Sequence, residues 1–433
     1  MKMIYLINPP DEWAQKKGDR PPLGLAYLSA YLKKFGHITK VFDLNHANIS
    51  EREVLDDKPN FVCITVPTPS YNRAVYIANT IKNFKNRYPR IFSHKLKLVA
   101  GGNHVAAYPN EKKTVETYDF IVAGHGDGEQ ALLDIVEGRA KEQIVKAPFT
   151  QNLDDFPYPD YEALSMEKYN MLIDGVRGIT MSTGRGCIYS CFYCGSSTIK
   201  KVRNHSPEYV IGHMKMLYDK YGIRGFYFVD DIFTNNFNRV YKICELIKVN
   251  FPQKDIKIRV TTRSNLLTQD LCMIMKEAGV DIISIGLESG SDKVLKAMQK
   301  VETVEVQRRG VEFCYNAGIK VKGFFIIGNP QETWEDVLMT INFAKDLVQK
   351  GMLHYADCYI LNPVPASQFW QNPEKFGIEA VKPKESNWND YYQIGKDKDI
   401  KININHPFLS HEQLKEGIRL FYEETKSIKG LTY

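Results

Sequence analysis

The sequence lacks long hydrophobic runs, and this limits the kinds of protein it can encode. The longest apolar runs, residues 61–66 and 323–328, are far too short to cross a bilayer and are typical of buried strands. The apolar run after Met1 stops at Asn8-Pro9-Pro10 without a small-residue cleavage site, so it predicts a first strand and not a signal peptide. These absences predict a globular, cytoplasmic protein with no membrane span.

Blocks of like charge are also absent. The 433 residues include 57 Lys and Arg and 51 Asp and Glu, and the net charge is +6. Because this small surplus is spread along the chain, no nucleic-acid partner is expected. The length predicts two or three domains.

Cysteines are few and unevenly placed. Of the eight, Cys187, Cys191 and Cys194 lie within eight residues of one another, whereas the others are scattered among apolar residues. Without a secretion signal the thiols are expected to be reduced, and isolated cysteines are expected to be core residues. These isolated residues are Cys63, Cys244, Cys272, Cys314 and Cys358.

Residues 1–138 alternate short apolar runs with amphipathic stretches of helical period. This order predicts an α/β domain, a Rossmann-like doubly wound parallel sheet whose ligands lie at the carboxyl ends of the strands. No G-x-G-x-x-G follows the first predicted strand, so a nicotinamide site is not expected. Residues 139–175 are rich in proline and acidic residues, which predicts a surface linker.

Residues 176–370 form a second series of strands and helices. Six strand–helix units predict a partial (β/α)6 barrel instead of the closed eight-unit barrel. Residues 371–433 are irregular before one last amphipathic helix, and they are expected to form a short, α-containing extension on the substrate side. Its aromatic residues are expected mostly to pack, with some at a substrate site: Trp370, Trp388, Tyr391 and Tyr392.

The clustered cysteines form a C-x3-C-x2-C motif directly after the first predicted barrel strand. A loop at this position lies at the carboxyl mouth of the barrel, where such folds build active sites. Three thiolates hold three irons of a [4Fe-4S] cubane and leave the fourth iron without a protein ligand. Structural zinc is the alternative, but it needs a fourth ligand, and the nearest histidine, His205, lies in a segment typical of a helix start.

The motif resembles that of the radical S-adenosylmethionine (SAM) superfamily, and the resemblance covers residues 175–370. In that family SAM binds the open iron, and one electron from the cluster cleaves it to methionine and a 5′-deoxyadenosyl radical. The resemblance therefore implies a [4Fe-4S] cluster, SAM and a low-potential electron donor of the flavodoxin or ferredoxin type. Because the cofactors carry the chemistry, no side chain is assigned as the catalytic group.

The same resemblance implies SAM contacts in the cysteine loop and at successive strand ends, although the usual Gly-Gly-Glu of the second strand is absent. An acid at a strand end also commonly caps a helix, and a glycine there commonly permits a turn, so each assignment has a structural alternative. The implied SAM contacts are Tyr193, Asp230, Asp231, Arg263, Glu288, Ser289 and Gly328.

Residues 1–138 resemble the cobalamin-binding domain of class B radical SAM methyltransferases, through residues 20–37, 101–109 and 124–136. A D-x-H-x-x-G motif is absent, so no histidine is expected as the lower ligand of cobalt, and His104 is more typical of a packed loop histidine. A domain that keeps the fold without the cofactor is the alternative. The implied cobalamin (methylcobalamin) contacts are Pro22, Leu23, Gly24, Thr65, Pro67, Thr68, Gly101, Gly102, His104, Gly124, Gly126 and Glu129.

Together the resemblances imply a cobalamin-dependent radical SAM C-methyltransferase. The radical would remove hydrogen from an unactivated carbon, in a protein or peptide side chain such as glutamine, and methylcobalamin would donate the methyl group. One alternative is a non-methylating enzyme of the same architecture that cyclises, oxidises or couples a tetrapyrrole, lipid or natural product. Another is a cobalamin or redox sensor without turnover.

Overall fold

The computed structural model describes residues 1–11, 18–92, 96–383, 387–388 and 400–425. Tyr391 and Tyr392 lie outside these residues. The chain divides into two compact units, the first made of residues 1–170, 383–392 and 433, and the second of residues 171–382 and 393–432.

The first unit is built on a six-stranded parallel sheet in the order β2-β1-β3-β4-β5-β6. The strand order reverses between β1 and β3, so their carboxyl ends form a switch point. The predicted Rossmann-like sheet is confirmed. Its strands are β1 (Met3–Asn8), β2 (Ile38–Asp43), β3 (Phe61–Thr65), β4 (Lys97–Gly101), β5 (Phe120–Ala123) and β6 (Ile144–Lys146).

In the described part of the first unit, six helices accompany this sheet. Leu25 and Leu32 of the first helix pack with Ile4 and Leu6 of β1 in one buried cluster, as expected of an amphipathic helix on a sheet. The helices are α1 (Leu23–Lys34), α2 (Glu51–Asp57), α3 (Tyr71–Arg87), α4 (Asn103–Ala107), α5 (Lys112–Thr117) and α6 (Gly128–Val136).

The predicted linker is packed onto the first unit instead of crossing a surface. It supplies β6, and its Phe156 and Tyr161 are almost fully buried. Asp160 accepts a hydrogen bond from the Ser29 hydroxyl at 2.5 Å. The segment's proline and acidic residues suggested a surface linker, although its apolar side chains anchor it to the unit. It also contains short 3₁₀ turns at Leu153–Asp155, Tyr161–Ala163 and Met166–Lys168.

The second unit contains a seven-stranded sheet in the order β15-β14-β13-β12-β11-β8-β7. Six strands are parallel and confirm the predicted partial barrel, while β7 is an antiparallel addition that the sequence pattern did not indicate. The strands are β7 (Leu172–Ile173), β8 (Val176–Met181), β11 (Gly225–Phe228), β12 (Lys257–Thr262), β13 (Val280–Glu288), β14 (Lys320–Ile327) and β15 (Tyr355–Ile360).

Two antiparallel pairs complete the described strands, β9 (Gly184–Arg185) with β10 (Arg203–Asn204), and β16 (Glu379–Ala380) with β17 (Ile404–Asn405). The helices of the second unit are α7 (Pro207–Tyr221), α8 (Phe237–Asn250), α9 (Gln269–Glu277), α10 (Asp292–Ala297), α11 (Val304–Asn316), α12 (Trp334–Gln349), α13 (Gln368–Gln371) and α14 (His411–Glu424). Ser206 caps α7 by accepting the Tyr209 N–H at 3.1 Å, so His205 does precede a helix start.

The isolated cysteines are buried and free, which confirms the expectation that they belong to the core. Trp370 and Trp388 are also buried. Across the described ranges, none of the helices combines the length and hydropathy that crossing a bilayer requires.

Candidate active site

The cysteine loop is attached to the sheet at its beginning. Thr183, two residues beyond β8, donates both its N–H (2.7 Å) and its hydroxyl to the Asp230 carboxylate after β11. The Thr183 carbonyl accepts from the Arg239 guanidinium at 2.7 Å. These bonds hold the loop at the carboxyl edge of β8 and β11, where a parallel sheet presents its functional groups.

Glycine is required at the point where this loop turns toward the first cysteine. Gly186 has φ +96°, and a Cβ at this position would overlap the carbonyl of Lys201. Only glycine adopts such a backbone without cost. The β9–β10 pair then closes the loop, because Gly184 and Arg185 pair with Asn204 and Arg203.

The three cysteine thiols are close enough to influence one another. Burial, together with the charges of Cys191, Asp231 and Cys187, raises the pKa of Cys194 to about 11. Burial also raises the pKa of Cys187, to which the charge of Cys191 contributes. Backbone N–H groups of Tyr189 and Ser196 donate to the sulfurs of Cys187 and Cys194, each at 3.4 Å. Such donors stabilise thiolates, the form that binds metal.

Within the ranges that the structure describes, no three His, Cys, Asp or Glu side chains converge closely enough for a single metal ion. A cubane spans several metal atoms, so its three thiolates lie further apart than the ligands of one tetrahedral ion.

Arg263, directly after β12, faces the cysteines. Its Nη1 donates to the Cys191 sulfur at 3.3 Å, and its guanidinium carbon lies 3.9 Å from the centre of the Tyr189 ring. Its Nε forms an ion pair with Glu302 at 3.1 Å. The Arg263 Nη2 is buried and has no hydrogen-bond partner among the described residues. An unsatisfied buried donor of a cation is costly, so this atom fits an acceptor on a bound group, such as a cluster sulfide or a carboxylate.

A second ion pair lies at the end of β13. Glu288 accepts from the Tyr193 hydroxyl at 2.8 Å and from Lys300 at 3.1 Å. Burial and the nearby Glu288 raise the pKa of Tyr193, so the phenol stays protonated and donates. Glu288 has φ +62°, a strained conformation for a non-glycine residue and one often found at functional sites.

The remaining predicted SAM contacts have identifiable structural partners. Both carboxylate oxygens of Asp230 accept from Thr183, whereas the exposed Asp231 accepts from the Ser196 hydroxyl at 2.9 Å, beside Cys194. Ser289 is buried, with its hydroxyl 3.0 Å from that of Thr340. Gly328 has φ +83° and donates its N–H to Glu332 at 2.5 Å. Of these predicted contacts, Arg263 bonds directly to a cysteine sulfur, Asp231 is linked to Cys194 through Ser196, and Glu288 is linked to the cysteine loop through Tyr193.

Three residues of this site were not identified from the sequence: Lys300, Glu302 and Tyr189. Tyr189 lies inside the cysteine motif, so its position between two cysteines was a usable signal. Lys300 and Glu302 lie in a loop between α10 and α11, and nothing in the spacing of a charged loop indicates burial.

The predicted cobalamin contacts lie at the carboxyl edge of the first sheet, near the switch point. At Gly24 and Gly101 a Cβ would meet no atom of the described residues within 4 Å, apart from those of the adjoining backbone. By contrast, a Cβ on Gly102 would approach the Thr65 hydroxyl and the Val66 N–H at 2.7 and 2.9 Å. Bare backbone at a switch point fits a flat macrocycle that approaches the chain closely.

His104 is fully buried beneath this edge. Its Nδ1 lies 3.2 Å from the Thr68 hydroxyl, and its Nε2 lies 2.8 Å from Glu111. The ring also packs edge-on against Trp388, with ring centres 4.5 Å apart. This geometry is that of the packed, hydrogen-bonded histidine, and its ring is not exposed for a ligand. Glu129 is likewise almost fully buried.

Comparisons with known proteins agree with this architecture. Residues 181–344 match the Radical SAM superfamily. An uncharacterized methyltransferase of Pyrococcus horikoshii is 30% identical over 97% of this chain and 91% of its own length. The anaerobic magnesium-protoporphyrin IX monomethyl ester cyclase of Rubrivivax gelatinosus is 27% identical over 83% of this chain and 67% of its own.

A solved structure shares the fold. The radical SAM methyltransferase TsrM of Kitasatospora setae, with cobalamin and a [4Fe-4S] cluster bound, has a TM-score of 0.70 at 16% identity, covering 97% of this chain and 91% of TsrM. The partial barrel with its cysteine loop thus defines a radical SAM enzyme. The chain belongs to the radical SAM methyltransferase family that includes the Pyrococcus protein.

Proposed function

We propose that this enzyme is a cobalamin-dependent C-methyltransferase that holds a [4Fe-4S] cluster on Cys187, Cys191 and Cys194. When bound, the cluster and SAM supply a 5′-deoxyadenosyl radical, and cobalamin supplies the methyl group. The observation that carries the proposal is the loop of three neighbouring thiols beside a buried Arg263 donor that has no partner among the described residues.

The chain's own groups bind and orient these cofactors. The backbone N–H groups of Tyr189 and Ser196 and the Arg263 guanidinium stabilise charge on the three sulfurs. The Arg263 Nη2 would donate to an oxygen of SAM or a sulfide of the cluster. In the first unit, the bare backbone at Gly24 and Gly101 would admit the corrin ring.

A polar substrate suits the sheet face that bears Arg263. Alternation along β12 places Arg259 on the same face as Arg263. Arg259 donates to the Ser284 hydroxyl at 3.1 Å and stacks over Tyr227, and on β14 Lys322 pairs with Asp357 at 2.7 Å. Charged groups in this layer favour a side chain such as glutamine, within a peptide or protein, over a hydrocarbon lipid.

The test is to incubate anaerobically reconstituted enzyme with methyl-labelled SAM, a reductant and native cell extract, and to identify the labelled product. A methyltransferase gives a product heavier by one methylene, together with both 5′-deoxyadenosine and S-adenosylhomocysteine. A Cys191→Ala enzyme, prepared in parallel, should give none of these.

The likeness to the Rubrivivax cyclase makes a non-methylating radical enzyme the second candidate. Such an enzyme would form 5′-deoxyadenosine with the extract but transfer no label to the product. That result would replace the methyltransferase assignment while leaving the cluster and SAM assignments in place.

A further inference from the structure

The loop between α10 and α11 has an inverted pattern of burial. Val301 is 73% exposed, whereas its charged neighbours Lys300 and Glu302 are only 5% and 8% exposed. Buried charges are rare unless they are paired, and an apolar side chain is normally the one that turns inward. In this loop, therefore, the valine side chain is exposed to solvent while two side chains of opposite charge point into the protein.

Each of these charges reaches the end of a different strand. Lys300 pairs with Glu288, the last residue of β13, and Glu302 pairs with Arg263, the first residue after β12. The Glu302 side chain is fully covered, and its Oε1 lies 3.1 Å from the Arg263 Nε. The backbone holds this loop in place, because the Phe192 N–H donates to the Met298 carbonyl at 3.3 Å. The loop is thus bonded to the cysteine motif itself.

Arg263 links Glu302 to the sulfur. Its Nε faces Glu302 while its Nη1 donates to Cys191 at 3.3 Å. The guanidinium is rigid and planar, so an acceptor that fixes one edge also fixes the direction of the other. Without Glu302, the Arg263 Nε would retain its 3.4 Å hydrogen bond to the Asn265 side-chain oxygen, but the buried guanidinium would lose the charged partner that holds it in this orientation.

We propose that Glu302 is a positioning residue that holds the Arg263 guanidinium against the Cys191 sulfur and thereby raises the reduction potential of the cluster. This inference rests on the proposed function, because it requires the cluster. Hydrogen bonds to ligand sulfurs and nearby positive charge both favour the more negative, reduced cluster. Among the described residues, Glu302 accepts hydrogen bonds from Arg263 and from the Asn265 N–H and bonds to no cysteine, so it acts through Arg263.

The direction in which the midpoint potential shifts in a Glu302 variant distinguishes positioning of Arg263 from a direct effect of the Glu302 charge on the cluster. A buried carboxylate acting only through space disfavours reduction, so its neutralisation would raise the midpoint potential. If Glu302 acts by positioning Arg263, its replacement by glutamine lowers the potential, because the ion pair that orients the guanidinium is lost and the N–H···S bond to Cys191 weakens. The two roles predict opposite shifts for the same substitution.

The experiment is an EPR-monitored redox titration of the reconstituted holoenzyme, without SAM, in wild-type, Glu302→Gln, Arg263→Gln and double-variant forms. We expect each single variant to lower the ratio of reduced to oxidised cluster at a fixed potential by about tenfold, which corresponds to about 59 mV for one electron. In the Arg263→Gln background, Glu302→Gln should no longer lower the potential. Glu305→Gln, an exposed carboxylate three residues away, is the matched control and should leave the potential unchanged.

Glu302→Asp is the second variant in case Glu302→Gln fails to fold or to retain iron. It keeps the charge but is too short to reach Arg263 fully, so its potential should also fall below that of the wild type. A potential at or above the wild-type value in every stable Glu302 variant would overturn the inference. Wild-type protein that binds no [4Fe-4S] cluster would overturn the proposed function as well, and iron analysis distinguishes the two failures.

Discussion

At the scale of single residues, the site depends on buried ion pairs whose partners come from different elements. Lys300 and Glu288 are both nearly buried, and the Tyr193 hydroxyl donates to the same carboxylate. Removing one partner of a buried pair leaves an uncompensated charge, which costs about 3–5 kcal/mol. We therefore expect Lys300→Met to lower the free energy of unfolding by about that amount, as measured by urea denaturation.

Lys296→Met is the control for this prediction, because Lys296 is exposed near the end of the adjacent α10. The double variant Lys300→Met with Glu288→Gln should be more stable than Lys300→Met alone, since it leaves no buried charge unpaired. If the Lys296→Met and Lys300→Met enzymes had equal free energies of unfolding, the Lys300–Glu288 ion pair would not contribute to stability.

Residue roles could be predicted only where sequence position implied spatial position. Cys187, Cys191 and Cys194 share one loop, and Arg263 and Glu288 end adjacent strands, so they were expected at one edge. Lys300 and Glu302 could not be found in this way, because their burial depends on the path of a loop. For His104, the absence of a D-x-H-x-x-G motif favoured a packed loop histidine, and its ring is fully buried as that interpretation predicts.

At the scale of elements, the turn after β14 depends on one buried acid. Glu332 accepts the N–H groups of Gly328 and Asn329 at 2.5 and 2.8 Å, and burial raises its pKa from 4.5 to about 8. Between these two pH values the unfolded chain ionises Glu332 while the folded chain retains the proton. Folded protein then binds more protons than unfolded protein, so stability falls as pH rises through this window.

Glu332→Gln should remove this pH dependence, because the amide oxygen can accept both N–H groups and carries no proton to lose. Thermal unfolding measured from below pH 4.5 to above pH 8 should show the variant gaining stability relative to the wild type as pH rises. The Glu305→Gln control should follow the wild-type profile. A constant difference between Glu332→Gln and the wild type across this range would refute the assignment.

Two adjacent glycines after β4 allow structural and ligand-binding roles to be separated. Gly102 has φ +98° and no room for a Cβ, so Gly102→Ala should cost about 1–3 kcal/mol of stability. Gly101 faces open space, so Gly101→Ala should fold normally yet weaken cobalamin binding by obstructing the corrin. Chemical denaturation and equilibrium titration with hydroxocobalamin measure the two effects. If Gly101→Ala bound hydroxocobalamin with unchanged affinity, the corrin would have to bind away from this edge of the sheet.

Elements were predictable where a periodic pattern was long. Every long helix and central strand of both sheets follows from alternation of apolar and amphipathic segments, as with β13 (Val280–Glu288) and α14 (His411–Glu424). The two-residue strands β7, β9 and β10 were missed because so short a segment carries no period. The β6 strand was missed because proline and acidic residues surround it.

At the scale of the whole molecule, the chain returns to its first unit near its end. Trp388 is buried in that unit, and its indole N–H donates to Glu111 at 2.7 Å, while Glu111 also contacts His104. Trp388→Phe would leave a buried carboxylate oxygen without this donor, and we expect a loss of about 1–3 kcal/mol in unfolding free energy. Trp370→Phe, which alters a buried tryptophan of the second unit, is the control. If Trp388→Phe lowered the unfolding free energy by no more than Trp370→Phe does, a specific role for the Trp388 indole N–H would be contradicted.

The sequence could not have revealed this return. Trp388 stands in an irregular segment, and its partner Glu111 lies far earlier in the chain, so no local period connects them. The parallel arrangement of the two sheets, by contrast, followed from the succession of strands and helices, since parallel strands require crossover connections.

The most direct test of the central claim is EPR spectroscopy of the anaerobically reconstituted, reduced protein before and after SAM is added, with 5′-deoxyadenosine quantified in the same samples. If three cysteines hold a cluster with one open iron, SAM will change the signal of the reduced cluster, the nucleoside will accumulate, and Cys194→Ala will show neither effect. A reduced-cluster signal that SAM leaves unaltered, or a cysteine loop that retains zinc in place of iron, would contradict the account.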